Sequence, residues 1–174
     1  PSNDPHMSEY TPAHWQCRQW ISGFNGSAGT AVVTLEKAAL WTDSRYFLQA
    51  AEQLEGSGFT LHKENIPGEP TVLEWLGEVL DEDAAVGVDG RLFSLIEANR
   101  IEMFCAQNGF MVAPDFRAAE AIWTDRPARP MNPAFVHDEA LAGEDVDSKI
   151  SRVVDALDAA DADGLLITAL DEIA

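Results

Sequence analysis

Four histidines, His6, His14, His62 and His137, and two cysteines, Cys17 and Cys105, are the residues of this 174-residue chain best suited to gripping a transition metal. A divalent ion needs about four to six donors converging at fixed geometry. The histidines are scattered, H-E-x-x-H is absent, and the cysteines fit neither C-x-x-C nor zinc-ribbon spacing. Asp81-Glu82-Asp83 resembles a calcium loop in charge alone, because the alternating ligands and distal Glu of such a loop are missing. A solvated helix end accounts for it. Ser22, Ser27 and Ser44 are possible nucleophiles, yet no G-x-S-x-G elbow surrounds any of them. These patterns predict no metal site and no catalytic residue within the chain.

The segment from Ser22 to Thr30 places glycines at 23, 26 and 29. Glycine lets backbone amides approach an anion closely, which raises the question of a phosphate loop. The G-x-x-G-x-x-G spacing is neither the dinucleotide nor the Walker form. No Lys follows, and the segment leads into a strand where both motifs need a helix N-terminus. It reads instead as a tight loop feeding the first strand, or as a loop that touches substrate or a partner subunit through Asn25, Gly26, Ser27 and Gly29. Downstream, Thr42 or Asp43 is placed to cap a helix, with Arg45 on its first turn. If the Arg45 guanidinium points into a cleft, it can read a carboxylate.

The elements that must position these residues follow from periodicity. Thr30 to Thr34 is β-rich, and Ala39 to Thr42 returns after Glu36-Lys37, which predicts a hairpin. Phe47, Ala50, Ala51 and Leu54 then fall at helical spacing, ended by Gly56 and Gly58. Phe59 to His62 is a short strand. Thr71 with Glu74 is a capping box opening a helix whose apolar face is Val72, Trp75, Leu76, Val79 and Leu80. Ala85 to Val88 is the next strand, Ser94 with Glu97 repeats the box, and Ala98, Ile101, Phe104 and Cys105 supply the buried face down to Asn108-Gly109. Phe110 to Val112 is a strand again. This alternation predicts an α/β fold with a mixed or parallel sheet flanked by helices.

Between Asp125 and Pro133 three prolines remove amide donors and hold the chain extended. The expected domains are residues 1–130, a linker at 131–147, and the beginning of a second, similar α/β unit at 148–174. In that unit Ser148 precedes a helix through Ile150, Val153, Val154 and Leu157, and Leu165 to Ile167 is a strand. With no initiator Met and a stop soon after that strand, the chain is expected to be a segment of a longer protein.

Thirty acidic against eleven basic residues give a formal charge of −19, so the backbone of nucleic acid is repelled. Eleven of the carboxylates lie between Ala134 and Ala174, faced by Lys149 and Arg152 alone. A saline habitat or lineage composition both explain such a surface. No apolar run approaches the roughly 20 residues of a membrane span, and nothing resembles a secretory signal. Reduced cysteines and a cytoplasmic location are expected.

Five segments taken together carry a resemblance: Asp4 to Tyr10; Trp20 through Asn25, Gly26, Ser27 and Gly29 to Thr30; Leu40 through Asp43, Arg45 and Tyr46 to Ala51; Ile122 to Pro127; and Thr168 to Ala174. Their order and spacing resemble the N-terminal part of the three-domain Xaa-Pro aminopeptidases, or aminopeptidase P, of the creatinase and prolidase superfamily. The resemblance spans essentially the whole chain and takes in Pro5-His6-Met7, which by itself could pass for a cloning scar.

The resemblance implies a ribonuclease-H-like first domain of mixed sheet with helices packed on it, and a second domain of similar build. It places catalysis in a third, C-terminal domain, where two Asp, one His and two Glu hold a pair of divalent ions, usually manganese; none of the five lies in these residues. There the ions activate a bridging water for attack on the amide before proline. For this chain the resemblance implies a non-catalytic role, shaping the active-site mouth and supporting a homodimer, on peptides with proline in second position. Asn25 to Gly29 would approach a neighbouring catalytic site. Two other readings stand beside this one: a prolidase or creatine-hydrolase relative of the same architecture, and a free-standing interaction module with an acidic face.

Overall fold

A computed structural model describes residues 3 to 173, which fall into two compact units divided between Pro130 and Met131.

The first unit is built on a three-stranded sheet in the order β1 (Thr30–Val33), β2 (Ala38–Thr42), β3 (Phe59–Lys63). The predicted hairpin is present: β1 runs antiparallel to β2, with Thr30 opposite Trp41 and Val33 opposite Ala38. Its turn is closed by Thr34, whose amide donates to the Lys37 carbonyl at 2.8 Å and whose Oγ1 accepts from the amides of Glu36 and Lys37. β3 lies parallel to β2, reached through helix α2 (Phe47–Gln53), so the sheet is mixed.

β2 is the central strand, and its side chains alternate between two apolar layers because strand residues point to opposite faces in turn. Leu40 faces one layer with Phe24, Ala50 and Leu54. Ala39 and Trp41 face the other with Trp75 and Leu76 of α3 (Val72–Val79). Burial on both faces explains why the strand reads as a continuous apolar run. The Trp41 indole N–H still finds a partner, the Pro70 carbonyl at 2.8 Å.

Both capping boxes form as the sequence predicts. The Thr71 hydroxyl accepts from the Glu74 amide while Glu74 accepts from the Thr71 amide at 2.7 Å. Ser94 and Glu97 repeat the exchange at the start of α4 (Leu95–Gln107). Two further strands, β4 (Ala85–Gly87) and β5 (Met111–Ala113), pair in parallel with each other as a separate two-stranded sheet. The predicted alternation is therefore present, divided by hydrogen bonding into a mixed three-stranded and a parallel two-stranded piece.

A short helix, α1 (Cys17–Ser22), precedes β1, and α5 (Ala118–Ile122) follows β5. The segment after α5 returns to the start of the unit. The Trp20 and Trp123 rings stack with centroids 5.0 Å apart, Arg126 Nε donates to the His14 carbonyl at 2.7 Å, and His14 Nδ1 donates to the Pro127 carbonyl at 2.6 Å. The guanidinium groups of Arg91, Arg126 and Arg129 all lie within 5.4 Å of the centroid of the buried Trp15 ring, in cation–π range. Asp4 is 1% exposed and accepts from the amides of His6 and Ser8, so the Asp4 to Tyr10 segment is part of the folded unit.

The second unit contains α6 (Glu139–Ala142), α7 (Val146–Ala159) and α8 (Leu170–Ile173). Two expectations are corrected here. Ser148 lies inside α7 and does not precede it: Asp145 caps the helix, its carboxylate accepting from the Ser148 amide at 2.9 Å, which makes Ser148 the third helical residue. Leu165 to Ile167 forms no strand among the described residues, because no partner strand offers it a ladder and a lone extended segment has no way to pair its backbone.

Candidate functional site

The sequence-selected residues Asn25, Gly26, Ser27, Gly29, Asp43 and Arg45 lie on the loop before β1 and the turn after β2. Paired antiparallel strands bring these two stretches to the same end of the sheet. Their placement depends on groups far away in the chain. Arg18, nine-tenths buried on α1, reaches across with both terminal nitrogens: Nη2 donates to the Gly26 carbonyl, and Nη1 donates to the Gly29 carbonyl at 3.2 Å. Its guanidinium also stacks over the Phe24 ring, 4.9 Å from the centroid. Burial pushes the Arg18 group below the ordinary arginine range, partly opposed by the field of the Tyr46 phenol.

Two glycines are fixed by contact. A Cβ at Gly26 would stand 2.3 Å from the Phe24 ring and 2.9 Å from Tyr46. At Gly29, where φ is +150°, it would stand 2.5 Å from the Trp41 carbonyl oxygen. Between them, the Ala28 carbonyl accepts from the buried Thr42 hydroxyl at 2.8 Å. The loop is thus held by its backbone while its side chains at 25 and 27 remain exposed.

α2 orients those side chains. Asn25 Oδ1 accepts from Gln49 Nε2 at 2.7 Å and from Gln53 Nε2 at 3.0 Å, and its amide donates to Gln53 Oε1. Gln49 and Gln53 are four residues apart on the helix and share one face. Ser27 Oγ shares a 2.6 Å hydrogen bond with the Tyr46 hydroxyl, which holds the Tyr46 phenol more acidic than an ordinary tyrosine.

Asp43 and Arg45 behave differently from the sequence reading. α2 begins at Phe47 with Tyr46 as its N-cap and no side-chain cap. Thr42 is spent on Ala28. Asp43 closes a turn, its Oδ1 accepting from the Arg45 amide at 3.0 Å. An aspartate two residues before an amide satisfies it locally, which competes with capping a helix that starts later. Arg45 precedes the helix and folds back on Asp43 in a bidentate pair, at 3.0 Å through Nε and 2.6 Å through Nη2. The hydrogen bonds from Arg45 hold the Asp43 carboxyl below its ordinary range, and Asp43 raises Arg45 in turn. That guanidinium is engaged by its neighbour Asp43.

Arg18, Gln49 and Gln53 escaped the sequence reading. The Gln pair at helical spacing was visible, but the partner Asn25 lies 24 and 28 residues away. Arg18 carried no signal beyond being a cation on a short helix.

Among the described residues no three His, Cys, Asp or Glu side chains converge to hold a metal ion, so a metal pair does not fit the donors present. Among the described residues no helix is long and apolar enough to cross a membrane, and Cys17 and Cys105 are free thiols raised by burial. The arrangement can offer hydrogen bonds and shape from a braced loop.

Comparison with known proteins bears on what that loop serves. Aminopeptidase P2 of Arabidopsis thaliana is 43% identical over 177 residues, covering all of this chain and 25% of that protein. A probable Xaa-Pro aminopeptidase P of Coprinopsis cinerea is 39% identical and is covered to 28%. The chain therefore spans about a quarter of the length of these relatives. Among solved structures, the X-prolyl aminopeptidase of Caenorhabditis elegans, described as a cytosolic enzyme with a di-nuclear active site, superimposes with a TM-score of 0.83 at 31% identity, over 99% of this chain and 28% of that one. Residues 15–117 and 125–174 match two family profiles, each described as a creatinase/prolidase N-terminal domain. The chain belongs to the creatinase/prolidase N-terminal domain family.

Proposed function

We propose that this chain is the non-catalytic N-terminal part of a metal-dependent Xaa-Pro aminopeptidase, which releases the residue preceding proline from the N-terminus of a peptide. The observation that carries the reading is likeness along the whole chain to X-prolyl aminopeptidases, in sequence at 43% identity and in backbone at a TM-score of 0.83. The two divalent ions, manganese in this reading, are held by the remainder of the longer protein. The domain layout is residues 1–130, a linker at 131–147, and a second unit from 148.

Within that protein the braced loop lines the mouth of the active site, on its own or a partner subunit of a cytoplasmic homodimer. Asn25 and Ser27 present fixed polar groups outward, while Arg18, Gly26 and Gly29 keep the loop from moving when a peptide arrives. Preorganisation of this kind lowers the ordering cost of binding. The Asp43–Arg45 pair stiffens the adjoining turn.

The test is kinetic and uses the full-length protein. Xaa-Pro-Yaa tripeptides should be cleaved, with creatine and Xaa-Pro dipeptides left intact, and a chelator should abolish the activity until manganese is restored. Asn25→Trp and Ser27→Trp should raise KM several-fold with a smaller change in kcat. Unchanged kinetics together with an unchanged dimer would overturn the role of the loop, and turnover of creatine would overturn the choice of substrate.

A further inference from the structure

A cleft of about 400 Å3 opens in the first unit beside the start of β1, where Thr30 joins its wall, and none of Asn25 to Gly29 lines it. Its lining comes from residues between Lys63 at the end of β3 and the first turn of α3, and from Phe93 with Glu97, Arg100 and Ile101 of α4. Trp41, Val72, Phe93 and Ile101 give it an apolar body.

Most of its polar groups are already engaged. Lys63 Nζ sits 5.4 Å above the Phe47 ring, Glu69 accepts from His62 Nδ1 at 2.9 Å, and Glu97 accepts from the Ser94 amide and hydroxyl. Two charged groups are not. Among the described residues the Glu64 carboxylate and the Arg100 guanidinium enter no hydrogen bond or ion pair, although Arg100 reaches Glu74 through its field. Both line the cleft, Glu64 just after the end of β3 and Arg100 on α4. Burial pushes the Glu64 carboxyl above its ordinary range, and the charge of Asp43 pushes it the same way. A half-buried carboxylate with no hydrogen bond or ion pair of its own leaves its desolvation uncompensated.

We infer that this cleft binds a small zwitterion with an apolar side chain, its ammonium on Glu64, its carboxylate on Arg100, and its side chain against Trp41 and Val72. The planar guanidinium suits a carboxylate because its N–H groups match both oxygens. The volume lies at the low end of ligand pockets, about 300 to 1,000 Å3, which suits a free amino acid or a dipeptide and excludes a folded partner. The site is separate from the peptidase reading and does not depend on it.

The experiment is calorimetric titration of the intact protein, held in chelator so that any metal-dependent site is silent, with leucine and with leucylglycine. Saturable binding of either supports the site, and the tighter of the two identifies the source. Leucinamide and N-acetylleucine, each lacking one charge, should bind about tenfold more weakly or worse. Glu64→Gln and Arg100→Ala should each cost the parent ligand a similar factor, with melting temperatures checked to establish folding. Glu64→Gln should leave N-acetylleucine affinity unchanged, a result that altered packing alone would not give. The same variants should cleave Xaa-Pro tripeptides at the wild-type rate once metal is restored. No saturable heat up to about 10 mM ligand, or equal binding by wild type and both variants, would overturn the inference. A protein that binds leucylglycine but cleaves no tripeptide would sink the peptidase reading and leave the cleft standing.

Discussion

The Cα of Gly29 lies so close to the backbone of Trp41 that an added methyl would meet the Trp41 carbonyl oxygen at 2.5 Å. The obstacle is backbone of the central strand, which does not yield as a flexible side chain would. At φ +150° an alanine is strained as well. Gly29→Ala should lower stability by about 3 kcal/mol, combining overpacking and backbone strain, measured as the shift in a urea unfolding curve.

Arg18 is the other fixed point of the loop. Arg18→Met keeps the aliphatic stem over Phe24 but removes the donors that reach the Gly26 and Gly29 carbonyls. Buried acceptors left short of partners cost about 1–3 kcal/mol each. The expected result is a loss of about 2–4 kcal/mol with faster amide exchange localised to residues 25–29. Arg18→Lys should recover only part of it, since an ammonium does not span two carbonyls as a planar fork does.

Thr71→Ala and Ser94→Ala each break a reciprocal cap. Either should cost about 1 kcal/mol, read as a fall of about 2–4 °C in Tm for a chain of this size. Thr71→Ser should be close to neutral.

Asp4 provides a pH signature. Burial alone would raise its carboxyl, but hydrogen bonds from Ser8 and His6 outweigh that and hold it below the ordinary value of 3.8. The folded state therefore binds its proton less readily than the unfolded chain. The stability it adds is complete above the ordinary carboxylate range and is lost as pH falls through the lower folded value. The gap between wild type and Asp4→Asn in unfolding free energy should be constant from about pH 6 to 8 and shrink below about pH 4.

Local signatures were legible wherever both partners lie within one turn. Thr71 with Glu74 and Ser94 with Glu97 sit three residues apart and satisfy each other's amides, so their helices start where the sequence places them. The apolar run of β2 is legible because both of its faces are buried. Legibility fails where two local options compete. Asp43 can cap or close a turn, and a helix that starts at Phe47 leaves it the turn. Asp145 and Ser148 both favour caps, and the carboxylate three residues upstream prevails. In the loop, glycine spacing marks a tight path, but the bracing by Arg18 and by Gln49 and Gln53 joins residues separated by up to 28 positions. Only the assembled sheet with its helices brings those together, and no periodicity encodes it.

The hydrogen bond between His14 and Pro127 and the stacking of Trp20 on Trp123 fasten the last stretch of the first unit onto residues 14–20 near its start. Trp123→Ala should therefore unfasten that clasp, seen as faster amide exchange over residues 123–127 while both capped helices keep their protection.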